Sequence, residues 1–450
     1  MGNQDDVLII GGGVIGVCVA HYLVEAGRQV TLLEKQEICS GCSYGNAGLI
    51  APSHSIPLPC PGAVARALQW MLDPQSPFYI RPRVDLGLMR WLWRFCGACN
   101  ERQMRRSLPV LRDLNRAGRR LYDELSALPD LSFHYARSGL IELFATRRGC
   151  REGLAAAELL RELGIEANPV TAAEARAMEP GVLPTIVGGV HFPGDACVDP
   201  AELVTQLARR AERRGATIRT RTEVVGFETS GRRVAGVATT RGVFRARVVV
   251  LAAGAWSGKL ARGLGIDLPV EPAKGYSVTI ARPAAAPAVP LLLGEAKVAV
   301  TPLRRALRFA GTLELTGLDL SICRRRVEAI RRAVRRYHPF PSRASGPNGG
   351  DAGDGGEVWA GLRPCMPDGL PAIGRTGACD NLIIATGHAM KGICLAPITG
   401  KLVARIVCGA EPELDVAPLR PDRFAWRAAR WGHAARGLRP TAFPPSAPRR

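Results

Sequence analysis

Apolar and polar positions along the chain fall into blocks with two periods. Val7 to Ile10 is a continuous apolar run that follows Asp5 and Asp6 and stops at Gly11-Gly12-Gly13, the pattern of a strand buried on both faces. From Val14 the apolar positions pass through Ala20, Leu23 and Val24 at helical spacing, and Val30 to Leu33 is a second buried strand. Residues 63–128 are helix-like, with Leu86, Leu88, Met89, Trp91, Leu92 and Trp93 preceding Leu108, Val110, Leu111, Leu114 and Leu121. Residues 138–145 alternate as a strand, and 150–163 read as an Ala/Leu/Glu helix ending at Gly164. Thr171, with Glu174 three positions on, predicts a capping box opening a short helix to Met178. Asp199 followed by Pro200 predicts a capped helix over 200–214.

Strand-like stretches follow at 216–228 and 233–240, then a strongly apolar one at 247–254, then several broken by Pro and Gly over 270–315. Residues 319–337 predict an Arg-rich helix, 359–374 a loop and short strand, and 381–385 a last core strand. A helix runs from Gly392 to Val407. Cys39 to Gly62 is too rich in Gly, Pro and Ser for a regular element. Ser342 to Gly356 is of low complexity and expected to be an exposed loop, and the tail beyond Pro418 is expected to be loosely held. With 450 residues, 47% of them hydrophobic, the chain can bury a sizeable core and is expected to hold two domains.

Charge changes this picture more than composition does. The formal net charge is +20, and the excess is clustered. Residues 81–120 hold eleven Arg and three acids, 321–336 seven Arg and one Glu, and 421–450 seven Arg and one Asp. Trp70, Trp91, Trp93 and Phe95 lie beside the first cluster, which suits peripheral contact with an anionic membrane face. No nucleic-acid motif accompanies the charge, so no nucleic-acid partner is expected. No apolar run approaches the roughly 20 residues of a membrane span, and the first lacks a basic leader. The expectation is a cytoplasmic protein, with any membrane contact peripheral and on the inner face. Thirteen Cys without a secretory signal are read as reduced thiols. Two C-x-x-C pairs, Cys39/Cys42 and Cys96/Cys99, have metal-ligand spacing, but one falls in a Gly-rich loop and the other in an apolar helical segment, so no metal site is expected.

Gly11, Gly13 and Gly16 stand at G-x-G-x-x-G spacing between the first strand and the first helix. Gly11 allows the tight turn, Gly13 the approach of a pyrophosphate, and Gly16 close packing of helix on strand, while the helix N-terminus favours phosphate. Glu34 ends the second strand 18 residues after Gly16, where a carboxylate bonds both hydroxyls of an adenosine ribose. Three further stretches carry chemistry: Ser40 to His54, Arg247 to Ser257, and Trp359 to Gly374 with Ile383 to Gly392.

In these residues the chain resembles the D-amino-acid dehydrogenase branch of the FAD-dependent amine and amino-acid oxidoreductases, a group that includes D-amino-acid oxidase, glycine oxidase and sarcosine oxidase. The resemblance covers about residues 5–415. It implies an α/β fold: a glutathione-reductase-like Rossmann domain for FAD, interleaved with an α+β substrate domain built on an antiparallel sheet. The FAD domain is expected from 1–52, 188–258 and 359–418, the substrate domain from 53–187 and 259–358, and a basic tail from 419–450. The implied reaction is oxidative deamination of a D-amino acid. Hydride passes from Cα to flavin N5, the imino acid hydrolyses to a 2-oxo acid and ammonia, and electrons go on to a quinone or another respiratory acceptor.

The resemblance also implies residue roles. Gly11, Gly13, Val14, Ile15 and Gly16 would hold the pyrophosphate and Glu34 the ribose. Ser43, Asn46, Ala47 and Gly48 would line the pyrophosphate and flavin. Val224 would contact adenine, and Ala253, Gly254 and Trp256 would close over the adenosine. Gly361, Gly387, His388, Lys391 and Gly392 would approach the isoalloxazine. Arg363 would anchor the substrate carboxylate through two parallel hydrogen bonds, with His54, Tyr44 and His388 the nearest titratable groups. Lys391 departs from the apolar residue expected of the dehydrogenase branch. It brings in the alternatives of glycine, sarcosine, or cyclic imino acids such as D-proline and D-hydroxyproline. Cys365 lies near, but out of register with, the cysteine that tethers FAD in sarcosine oxidases, so covalent attachment is not expected. An RNA-associated flavoprotein is a distant alternative suggested by charge.

Overall fold

A parallel sheet forms around the first apolar run in the computed structural model, which describes residues 5–73, 76–339 and 356–425. Its strand order is Thr217–Arg219, Val30–Leu33, Asp5–Ile10, Ala246–Leu251, Leu382–Thr386 and Ala372–Arg375. The first five are parallel, and the last is antiparallel to its neighbour. Val7, Leu8 and Ile9 have no exposed surface, which is why their run is continuous rather than alternating.

One face of this sheet is covered by the helices Val14–Glu25, Pro200–Arg213, Gly392–Cys408 and Glu101–Ser126. Their packing is close because small residues sit at the crossings. A Cβ on Gly400 would lie 2.7 Å from the Cys18 backbone, and one on Gly118 would lie 2.4 Å from the Cys394 carbonyl oxygen. The Tyr122 hydroxyl donates to the Ile393 carbonyl at 2.7 Å across the second crossing. The other face carries a three-stranded antiparallel sheet, Val224–Ser230, Arg233–Thr239 and Gly242–Phe244.

A second sheet lies beside this unit. Its order is Glu357–Cys365, Glu271–Ala281, Ala306–Leu315, Val298–Pro302, Leu291–Leu293, Leu140–Phe144, Gly188–Phe192 and Asn168–Thr171, with Phe78–Ile80 alongside Ala306–Leu315. It is antiparallel except where Leu291–Leu293 meets Leu140–Phe144 and where Phe78–Ile80 joins. Helix Arg324–Arg335 buries Val327, Ile330 and Val334 against it, and helix Arg147–Glu162 buries Ala157 and Leu160. The α/β architecture with an antiparallel second sheet agrees with expectation.

Several local expectations hold closely. Asp199 caps helix Pro200–Arg213 by accepting from the Ala201 and Glu202 amides, and both bonds of the Thr171/Glu174 capping box are present. Others need correcting. The helix-like region 63–128 is three helices, Ala63–Met71, Leu86–Ala98 and Glu101–Ser126, with the strand Phe78–Ile80 between the first two. The expected short strand in 359–374 is a nine-residue strand, Glu357–Cys365, at the sheet edge, where Pro364 costs no ladder bond. The Arg-rich helix begins at Arg324, because Asp319 takes the Ser321 amide into a turn instead.

Sheet membership also differs from the expected division. Strand Gly188–Phe192 and residues 359–365 pair within the second sheet, while Leu111, Leu114, Leu121 and Phe133 pack into the core of the parallel-sheet unit. Periodicity reports that a residue is buried, not which sheet it is buried against. The tail is held further than expected: Leu419 is buried, Arg423 pairs with Asp368 at 2.7 Å, and Asp422 accepts from the Gly377 amide at 2.6 Å. Residues 342–355 of the expected loop and 426–450 of the tail lie outside the described residues. Trp91 is buried against Phe95 and donates to the Cys365 carbonyl, so of the aromatics beside the basic cluster only Trp93 is exposed, while Trp70 and Phe95 are half-buried. Among the described residues, no helix is long and apolar enough to cross a membrane.

Candidate active site

A cavity of about 1930 Å³ runs from the C-terminal ends of the parallel strands, at Ile10, Leu33 and Ala252, to the second sheet at Gly275, Gly311 and Arg363. At its first end the glycine turn is sterically closed. Gly11 has φ +115°, and a Cβ on Gly16 would lie 1.8 Å from the Gly11 carbonyl oxygen, so neither position admits a side chain. Gly13 opens helix Val14–Glu25, whose first turn holds no acidic side chain. The Ser43 hydroxyl accepts only the Val14 amide, at 3.0 Å. The remaining first-turn donors and the dipole fit an anionic group.

Glu34 is held by the Gly12 amide at 2.7 Å and the Gln36 amide at 2.9 Å, on the cavity wall. Val224, Ala253, Gly254 and Trp256 line the same end, and the Lys35 ammonium lies 3.5 Å from the Trp256 ring centroid. Thr386 donates to the Gly254 carbonyl at 3.1 Å, fixing that turn.

Loop 43–48 forms the middle of the wall. Asn46 takes the Gly48 amide at 2.8 Å, and Gly48, at φ +76°, would clash with the Val198 carbonyl if it bore a Cβ. Sequence reasoning missed the residue that clamps this loop. Arg308, buried on the second sheet, donates to the Tyr44 carbonyl at 2.8 Å, the Asn46 carbonyl at 2.9 Å and the Thr279 hydroxyl at 3.0 Å. Burial lowers its pKa. A lone Arg between Leu307 and Phe309 in a buried strand was the available signal.

The far end gathers the chemistry. The Arg363 guanidinium packs on Gly275, where a Cβ would lie 2.3 Å from it. It donates to the Thr312 carbonyl at 2.5 Å and reaches the Gly311 carbonyl at 3.5 Å. No carboxylate pairs with it among the described residues, and burial lowers its pKa. The Cys365 and Cys42 thiols act in the opposite sense. Gly361 leaves room for the Trp359 indole, which a Cβ would meet at 1.8 Å; this ring is a second wall residue missing from the sequence-based set.

His54 sits on the turn Pro52–Ser55, whose Ser53 hydroxyl and amide bond the buried Asp195 carboxyl at 2.5 and 3.1 Å. Burial, then Lys391 and Lys297, push His54 down to about 4, and burial raises Asp195 to about 7. His388 bonds the Thr399 hydroxyl at 3.0 Å through Nε2, while its buried Nδ1 has no hydrogen-bond partner; burial takes it to about 3. Both rings are therefore neutral at pH 7. Lys391 is buried at the start of helix Gly392–Cys408, donates to the Ile56 carbonyl at 3.4 Å, and is lowered to about 8 by burial.

Of the expected site residues, the cavity brings together Gly11, Gly13, Val14, Ile15, Glu34, Ser43, Asn46, Ala47, Val224, Ala253, Gly254, Trp256, His54, Gly361, Arg363, His388, Lys391 and Gly392. Gly16, Gly48 and Gly387 stand behind the wall and shape its backbone. Tyr44 is the correction: its hydroxyl turns away to Glu357 at 3.0 Å, so it is not placed to meet a substrate. Cys365 lines the cavity, but burial raises its thiol to about 12 and keeps it protonated. Among the described residues no cluster of three or more His, Cys, Asp or Glu is arranged to hold a metal.

A glycine turn at a helix N-terminus, a carboxylate at the end of the neighbouring strand and a guanidinium without a carboxylate partner line one cavity, an arrangement that fits a dinucleotide-dependent oxidoreductase. The chain belongs to the FAD dependent oxidoreductase family, whose model matches residues 6–406. It is 35% identical over 426 residues to a D-amino acid dehydrogenase of Methylobacterium radiotolerans, covering 93% of this chain and 99% of that relative. A D-amino acid dehydrogenase of Bradyrhizobium diazoefficiens is 34% identical, covering 94% and 99%. Among solved structures, glycine oxidase from Geobacillus kaustophilus superposes with a TM-score of 0.74 at 25% identity, covering 93% of this chain and 99% of that one. FAD is the family's cofactor, and the glycine cradle, Glu34 and the unpartnered His388 Nδ1 fit it.

Proposed function

We propose that this enzyme oxidatively deaminates D-amino acids, with Arg363 as the substrate anchor. The observation that carries the reading is the Arg363 guanidinium, held by backbone carbonyls and lacking a carboxylate partner beside an open cavity. Such a fork binds an α-carboxylate through two parallel hydrogen bonds and so fixes the attached Cα. His54, pushed down to about 4, is neutral at pH 7 and so adds no positive charge beside the substrate amine. Trp359 and Ile56 line the same cavity. FAD, when bound, supplies the acceptor of the hydride. The imine left behind hydrolyses to a 2-oxo acid and ammonia.

The names of the curated relatives support D-amino acids as substrates. Lys391 and the glycine oxidase likeness favour a second reading, oxidation of glycine, sarcosine or cyclic imino acids. Anaerobic bleaching of the yellow holoenzyme decides between them. D-amino acids bleach it and L-enantiomers do not; bleaching by glycine or sarcosine alone selects the second reading, and none at all ends both. Comparing dye reduction with peroxide formation identifies the acceptor, for which we propose a quinone. Trp91, Leu92 and Phe95, which line the cavity, suit a flat apolar acceptor.

We also propose peripheral contact with an anionic membrane face. Trp93, 69% exposed, lies with exposed Leu68, Leu86 and Met89 on the two helices that carry exposed Arg66 and Arg90, and Leu72, 87% exposed, caps the first of them.

A further inference from the structure

We propose that the substrate end of the cavity holds a second anion subsite built on Lys391, so that the preferred amino acids carry a side-chain carboxylate besides the α-carboxylate. The inference rests on Arg363 anchoring the α-carboxylate. Lys391 is 9% exposed, lines the cavity, and makes one long hydrogen bond, 3.4 Å to the Ile56 carbonyl. An ammonium has three donors, so this contact leaves donors free for a ligand. Among the described residues, no carboxylate stands within 4 Å of Lys391 or Arg363.

Three carboxylates that line the cavity are already engaged. Glu142 pairs with Lys297 at 3.4 Å and Glu152 with Arg148 at 2.9 Å, while Glu295 takes the Thr146 hydroxyl at 2.8 Å and the Tyr337 hydroxyl. The two cations without anions share one neighbourhood: Cys365, two residues after Arg363, forms a β-bridge with His388, whose carbonyl accepts the Lys391 amide at 2.9 Å. A monocarboxylate satisfies Arg363 and leaves Lys391 a buried, unpaired charge, which is costly. A dicarboxylate satisfies both. The N-terminus of helix Gly392–Cys408, which starts beside Lys391, adds to the same positive field.

The test uses the FAD-loaded enzyme and reads two signals. Malonate, succinate and butyrate are titrated while the flavin absorbance change is followed, and anaerobic reduction is timed with D-aspartate, D-glutamate and D-alanine. We expect malonate or succinate to bind at least tenfold tighter than butyrate. That advantage falls about tenfold per pH unit above about 8, where the free ammonium loses its proton. Lys391→Met removes the advantage and lowers the kcat/KM ratio of D-aspartate or D-glutamate over D-alanine at least tenfold, while Lys391→Arg restores part of both. Equal binding of butyrate and the dicarboxylates overturns the proposal. So does a Lys391→Met variant that keeps bound FAD and leaves the ratio unmoved, which would assign Lys391 to the flavin or the α-carboxylate. If no D-amino acid bleaches the flavin, the deamination reading fails, and the titration still decides the subsite.

Discussion

Two buried groups at the substrate end make opposite demands on their surroundings. Arg363 is a permanent charge in a dry wall, stabilised by carbonyl oxygens rather than by a counter-ion. Replacing Arg363 by Leu removes two charge-assisted hydrogen bonds to the substrate, together roughly 3–6 kcal/mol. The expected loss in kcat/KM is therefore about 10²–10⁴-fold, with FAD content unchanged because Arg363 stands at the far end from the glycine cradle. Loss of the flavin in that variant would mean that the residue supports the cofactor instead.

Asp195 is the reverse case, a carboxyl that burial holds protonated near neutral pH. Its folded pKa of about 7 lies above its ordinary 3.8, so the stability it contributes is complete below about pH 4 and is lost as pH rises through 7. Asp195→Asn lacks that loss. The variant should gain on the wild type by roughly 1.4 kcal/mol per pH unit between pH 4 and 7, read as denaturation midpoints. The low-pKa imidazoles His54 and His388 pull the other way in both proteins, since they lose stability as pH falls below about 6.5, and so cancel in the comparison.

Among the elements, the loop 43–48 depends on a strand that belongs to the other sheet. Arg308 reaches from Ala306–Leu315 to two carbonyls of this loop, and so couples the second sheet to the wall of the cofactor site. Arg308→Met should weaken FAD binding about 10–100-fold, as expected when one charged donor leaves two carbonyls short, and fluorescence of released flavin measures it. The helices show how far sequence can carry. Pro200–Arg213 was legible to its cap because Asp199 and Pro200 are local signals. Glu357–Cys365 was not, since its Gly361 and Pro364 read as loop until the strand is seen at an edge, with the Trp359 indole lying on Gly361.

At the scale of the whole molecule, the interleaved chain makes one cavity out of two sheets, and the basic, apolar helices 63–71 and 86–98 lie at its rim. If that rim meets a membrane, the protein binds vesicles containing anionic lipid and is released by salt. Trp93→Ala combined with Leu72→Ser should lower vesicle binding several-fold in flotation, while bleaching in solution stays as in the wild type. Unchanged flotation would remove the membrane from the proposal.

Sequence alone determined the local geometry of the nucleotide end. The turn at Gly11–Gly16, the flanking strands and helix, and the carboxylate at Glu34 all lie within residues 5–34, where local signals suffice to place them. Pattern also placed Arg363, His54, His388 and Lys391 near one another, although only through the likeness of whole stretches. Tertiary structure decided what those groups face. Tyr44 turns outward to Glu357, Arg308 turns inward to the loop, and Lys391 is left without an anion while Glu142 and Glu152 pair with other cations. Burial and charge pairing are sums over residues hundreds of positions apart, and no local pattern along a chain carries them.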